Sequence, residues 1–355
     1  MNKNIDAIKK KADICVEVLF LLLFAACGTI TAPKKQALEY YNMGEHYYLN
    51  NNYEQALVSY SEAIRLDKKY MNAYANRGAI YALLNEYEKA KDDYTVALEI
   101  TRTPEIYFHR SDAYYNLGKF TRALSDINAA IALDPSKYVY FERRGVYYYC
   151  LKDYPKALED YKIALRMNPD NAMLYNNCGK LSLDLGQYEE ALYYYNQSIL
   201  LNPNYFDAFL GRGLAYGNQK KHRVAINDFS RAIEIEPDNP NGYSGRGWSF
   251  LNLDMYIESA VNYTAAITLA PDNFEYYFRR GLAYNLLDKH EEAVLDMNKV
   301  LELDPENNYA YGAYALRGGI YLKWWELTDE EDKKKEYWEK AKADYEKMKS
   351  LEPGF

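Results

Sequence analysis

From Leu38 onward, apolar residues return at steps of three and four along the chain. Short polar or glycine breaks interrupt them, such as Asn50-Asn51-Asn52, Leu117-Gly118 and Leu185-Gly186. A period between three and four belongs to a helix with one buried face, so the pattern predicts short amphipathic helices in pairs. Pro135, Pro169, Pro203, Pro237, Pro271 and Pro305 close the second helix of successive pairs. Proline drives the residue before it out of the helical conformation.

Small residues hold a longer register. Gly44, Gly78, Gly145, Gly179, Gly213, Gly247 and Gly281 recur with Ser111 in the one gap, 34 residues apart except for a single 33. Twelve residues after each mark stand Ala56, Ala90, Ala123, Ala157, Ala191, Ala225, Ser259 and Ala293. Seven further on come Ala63, Ala97, Ala130, Ala164, Ser198, Ala232, Ala266 and Val300. Such points mark close helix contacts. One hairpin cannot bury its apolar face, whereas a stack buries a continuous core between neighbours. The expected fold is all-α, with nine hairpins starting near Ala37, Met71, Pro104, Tyr138, Ala172, Phe206, Pro240, Phe274 and Tyr311.

An aromatic stands four before each mark, at Tyr40, Tyr74, Tyr107, Phe141, Tyr175, Phe209, Tyr243 and Tyr277. Tyr47, Tyr81, Tyr114, Tyr148, Tyr216 and Tyr284 stand three after, with Ser182 and Phe250 departing. Together with the alanines and prolines, this pattern resembles the tetratricopeptide repeat (TPR) family over nearly everything after the amino-terminal leader. The resemblance implies a right-handed superhelical solenoid of antiparallel helix pairs. Residues 37–310 would form eight units, and residues 311–355 a ninth, atypical capping unit. That last unit carries three extra residues before Gly318 and eleven more around TDEEDKKKE, between Gly318 and Ala341. It reads as a solubilising cap, with a docking site on the insertion as the sharper alternative.

In the family, first helices line a concave groove in which extended peptides lie. The implied groove positions are six, three and two before each mark and one, four and five after it. In the first half they hold Asn42, Asn72, Asn76, His109, Arg143, Asn176 and Asn177, which suit hydrogen bonds to a peptide backbone or simply face water. In the second half they hold Leu210, Leu214, Trp248, Leu251, Phe278 and Leu282, with Gly211 and Gly245 removing bulk beside them. The expectation is an apolar recess, the alternative being that neighbouring first helices cover these side chains. No lysine stands three before a mark and no asparagine one after it, so a carboxylate clamp of the family's chaperone-binding kind is not supported. Arg77, Arg110, Arg144, Arg212, Arg246, Arg280 and Arg317 directly precede the mark and read as a scaffold feature.

The leader, residues 1–27, has Lys3, Lys9, Lys10 and Lys11 before the apolar run Val18 to Ala26. That run is shorter than the roughly 20 residues a spanning helix needs, which favours a secretory signal peptide. Phe24-Ala25-Ala26-Cys27 resembles a bacterial lipobox, making Cys27 the expected lipidation site and residues 28–36 a tether. The expected location is therefore the bacterial cell envelope, anchored to a membrane by lipid. The alternative is an uncleaved leader on a cytoplasmic co-chaperone or adaptor.

The formal charge of −8 lacks the basic excess that nucleic acid demands. The 40 tyrosines suit half-buried helix surfaces. Of four cysteines only Cys150 and Cys178 lie in the body, expected as two buried thiols rather than a disulfide. His46 and His109 sit on first helices, while His222 and His290 take the register of Tyr53 and Tyr87 and read as core substitutes. The GRG runs at Gly211 to Gly213 and Gly245 to Gly247 fall inside predicted helices and not in a phosphate loop. No catalytic or metal-binding constellation emerges. The chain reads as a non-enzymatic protein-interaction scaffold without cofactor or metal, its partner a protein or peptide, with self-association by stacking of end units as another reading.

Overall fold

The computed structural model describes residues 32–306 and 309–351. Among them eighteen helices follow one another and no strand occurs. The leader, Cys27 and residues 28–31 lie outside the described residues, as does Pro353. The chain divides after Leu151 into two compact units.

The first unit holds α1 (Ala32–Leu49), α2 (Tyr53–Leu66), α3 (Met71–Leu83), α4 (Tyr87–Ile100), α5 (Pro104–Asn116), α6 (Phe120–Leu133) and α7 (Tyr138–Cys150). The second holds α8 (Tyr154–Met167), α9 (Ala172–Asp184), α10 (Tyr188–Leu201), α11 (Phe206–Asn218), α12 (His222–Ile235), α13 (Pro240–Leu251), α14 (Tyr256–Leu269), α15 (Phe274–Leu286), α16 (His290–Leu303), α17 (Ala310–Leu327) and α18 (Glu331–Ser350). Helices α3, α5, α7, α9, α11, α13 and α15 begin at the residues the sequence nominates as unit starts. Two differences occur. Helix α1 begins at Ala32 with Pro33 in its first turn, so the carboxyl half of the expected tether is helical. The charged insertion is built into two long final helices of 18 and 20 residues, with Lys333–Glu330 and Lys340–Glu336 pairs on their surface.

Local chemistry sets the helix ends. Thr103, Asn171, Asn239 and Asn273 cap first helices by accepting from backbone N–H groups of the opening turn. Seven residues after every mark, the turn into the second helix has positive φ, at Asn51, Asn85, Gly118, Lys152, Gly186, Lys220, Asp254 and Asp288. After α5, Lys119 N–H returns to Tyr114 C=O at 2.8 Å, a Schellman closure.

The repeat glycine exists for a ring. A Cβ on Gly44, Gly179 or Gly213 would lie 2.6, 2.8 or 2.8 Å from the aromatic side chain sixteen residues on, Tyr60, Tyr195 or Phe229. Those rings are almost wholly buried and centre the core of each hairpin. Ser111 occupies a register where the residue sixteen on is Ile127, fully buried.

Candidate functional site

The arginine before each mark is a structural element. Arg77, Arg212 and Arg280 each make two parallel bonds to an aspartate sixteen residues on, Asp93, Asp228 and Asp296, at 2.6–2.9 Å. Their Nη1 atoms reach back to Ser61, Asn196 and Thr264 on the second helix of the preceding hairpin, at 2.7–3.0 Å. Arg110 and Arg317 repeat the arrangement with Asp126 and Asp344. The guanidinium of Arg77 also lies near the rings of Tyr74 and Tyr81, and that of Arg280 near Tyr277 and Tyr284. Thus the aromatic four before the mark and the tyrosine three after it flank a guanidinium that joins adjacent hairpins. Part of the unusual tyrosine content serves this ladder. The register changes at Cys178, where arginine is replaced by a fully buried thiol whose pKa burial pushes up to about 12.

Inner-facing positions of the first unit are polar and linked. Asn42, Asn72 and His109 are exposed. Asn76 is half-buried and donates to Glu45 Oε1 at 2.5 Å and to Tyr41 Oη at 3.1 Å. Glu45 also accepts from Tyr60 Oη. Arg143 pairs through Nε with Asp112 Oδ1 at 3.0 Å, and Tyr147 Oη donates to the same oxygen at 2.8 Å. In both cases the residue after one mark holds the residue two before the next. A 380 Å³ cavity on this unit is walled in part by Tyr48, Tyr94, His109 and Asp112.

In the second unit Asn176 is buried and its Oδ1 has no partner, while Asn177 is half-buried. Leu210, Leu214, Trp248, Leu251, Phe278 and Leu282 are all half-buried. Leu214 and Trp248 meet in a 340 Å³ cavity together with Ser244, Tyr263, Tyr276 and Arg279. Leu210 packs on Phe206 and Phe209, and Phe278 on Tyr309, which turns both toward hairpin cores. Gly211 and Gly245 act differently from the expected bulk removal. A Cβ there would lie 2.3 Å from Tyr195 or 2.5 Å from Phe229, so rings of the preceding hairpin fill the space. Gly217 is what seats the indole, since a Cβ would lie 2.2 Å from Trp248 Cζ3.

Tyr263 is fully buried and lines this cavity with its hydroxyl beside the Arg279 guanidinium. Beside it Arg279 is held by Glu275 at 2.7 Å. The cavity therefore offers an apolar wall, a donor and a neutralised ion pair, and it lacks any nucleophile–base pairing. His222 is buried edge-on against Trp248 at 5.1 Å, as its register implied. His290 is mostly buried beside Lys323 and Asn285. Both body cysteines are free thiols, Cys178 buried and Cys150 half-buried rather than buried. Among the described residues no group of side chains could hold a metal ion, and no helix is long and apolar enough to cross a membrane. Sequence reasoning missed Asp112, Tyr48 and Tyr263. Asp112 and Tyr48 occupy groove positions and were open to inspection there, whereas Tyr263 lies on a second helix sixteen residues after Gly247, in the series of core rings.

Family models described as TPR repeat match residues 44–85 and 182–220. Models described as tetratricopeptide repeat match residues 72–104, 108–172, 206–239 and 274–307, so that together the matches span more than half of the chain. The chain belongs to the tetratricopeptide repeat family. Solved structures share the fold at low identity. A tetratricopeptide repeat protein from Parabacteroides merdae is 24% identical with a TM-score of 0.55, over 71% of this chain and 94% of that one. The carboxyl-terminal part of a TPR protein from Cytophaga hutchinsonii is 21% identical with a TM-score of 0.54, over 67% and 98%. PilW, a type IV pilus biogenesis factor, is 19% identical with a TM-score of 0.54, over 59% and 97%. None of the curated proteins matches the chain.

Proposed function

We propose that the chain is a non-catalytic scaffold whose inner first-helix faces hold a peptide or helix of a partner protein, tethered to a bacterial membrane through acylated Cys27. The observation that carries the reading is the cavity between Leu214 and Trp248, where a half-buried indole and the polar groups of Ser244 and Arg279 share one recess. A partner's apolar side chain would cover the indole, and polar residues around it would meet the peptide backbone. TPR domains are typically interaction modules.

The anchor rests on the lysine-rich start, the short apolar run and the Ala25-Ala26-Cys27 junction. A diacylglycerol adduct on Cys27, read by mass spectrometry of the purified chain, supports envelope anchoring. An intact leader favours the cytoplasmic adaptor instead. Affinity capture with the full chain, beside the Leu214→Glu, Trp248→Glu, Leu282→Glu variant, tests the groove. Partners bound only by the unmodified protein support it, and equal capture by both moves binding to the outer face, the charged last hairpin or self-association.

A further inference from the structure

The first unit has its own built recess, of different chemistry. Helix α3 carries Ala79 and Ala82 where α1 carries Glu45 and Tyr48 and α5 carries Asp112 and Tyr115. The small residues open the 380 Å³ cavity, which Tyr48, Tyr87 and Tyr94 wall with rings and Asp112 with a carboxylate. Tyr48 is exposed, and Tyr94 is buried with His109 stacked against it at 5.9 Å. Both contacts of the Asp112 carboxylate, from Arg143 and Tyr147, fall on Oδ1. Burial raises the Asp112 pKa even beside Arg143, which opposes it, so this carboxylate is stabilised by a further positive charge. The remaining inner-facing positions of the first four first helices add Glu45, Glu105 and Glu142, against the bases Arg143 and His109.

We propose that this cavity takes a lysine or arginine side chain of the partner, its cationic head between the Asp112 carboxylate and the tyrosine rings. Ring faces attract a cation and the carboxylate completes its neutralisation, whereas a phosphate or carboxylate would meet Asp112 head-on. The inference rests on the inner faces being the partner-binding surface, and it names what the first unit selects.

The test uses the full chain and a pentalysine peptide, compared by calorimetry with the same peptide acetylated on every ε-amine, at about 0.15 M salt to screen diffuse attraction. Asp112→Asn and Tyr48→Ala should each weaken pentalysine binding about five- to tenfold. Asp92→Asn removes the same charge from an exposed side chain on a second helix and should leave binding unchanged. The acetylated peptide should not bind. Equal affinity in all three variants, or equal binding of the acetylated peptide, overturns the proposal. Should Asp112→Asn melt early through loss of its Arg143 contact, Tyr48→Ala decides alone. The Leu214→Glu, Trp248→Glu, Leu282→Glu variant should retain pentalysine binding whether or not it captures a partner, so failure here and failure of the apolar recess are separable.

Discussion

Arg246 donates through Nε to Asn262 Oδ1 at 2.8 Å, in a register where Arg212 and Arg280 each grip an aspartate with two bonds. The Asn262 amide turns instead to the Glu258 carbonyl at 2.8 Å, and Arg246 has its pKa lowered by burial. A half-buried guanidinium without a carboxylate is only partly compensated. Asn262→Asp should therefore stabilise the second unit by about 1 kcal/mol, and Asp228→Asn should destabilise it by about 1–2 kcal/mol. Urea unfolding midpoints check both, and unchanged midpoints would remove the ladder from the stability account.

Glycines divide into three classes with different expected outcomes. Gly211→Ala and Gly245→Ala push a Cβ into Tyr195 and Phe229 and should cost about 1–3 kcal/mol each. Gly319 lies inside α17 with nothing near its absent Cβ, so Gly319→Ala should gain up to about 1 kcal/mol from helix propensity. At the turns the left-handed position takes Lys220 at φ 62°, where Lys220→Gly should gain about 1 kcal/mol. Thermal melting of the four variants separates the classes.

Helix starts were legible because capping residues and prolines advertise them, as at Thr103-Pro104 and Asn239-Pro240. The core was legible through its small residues. The recess was only partly so. Leu214 and Trp248 meet as their register implies, but Phe278, at another groove position, packs on Tyr309 instead. Composition at a groove position does not say which neighbour takes the side chain, and a glycine there looks alike whether it opens space or admits a ring. The ladder was visible as seven arginines, while the residues answering them, such as Asp93, Asp228 and Asp296, lie sixteen residues on, across a turn, in a separate series, and Asp344 lies twenty-seven beyond Arg317.

Buried tyrosines set the alkaline limit. Burial raises the pKa of Tyr60, Tyr94, Tyr195 and Tyr263 above the ordinary value of 10.0, and that of Tyr70 to about 12. The folded state holds these protons more tightly than the unfolded chain. Their stabilisation is thus complete below about pH 10 and lost as pH rises from there through the raised values. Helix content should fall above about pH 10 together with the rise of tyrosinate absorbance from the core. Full tyrosinate titration near pH 10 with the helices intact would contradict the core assigned here.

The central claim is that the inner face of the second unit captures a peptide through Leu214 and Trp248. Its most direct test is selection of binders from a displayed random-peptide library, followed by affinity measurement on the unmodified chain and on the Leu214→Glu, Trp248→Glu, Leu282→Glu variant. The account predicts at least about a tenfold loss of affinity with helicity and melting unchanged, since truncating or reversing a buried aromatic anchor commonly costs that much. Equal affinity would place the binding surface elsewhere. Unfolding of the variant would show that these side chains hold the stack together and do not meet a partner.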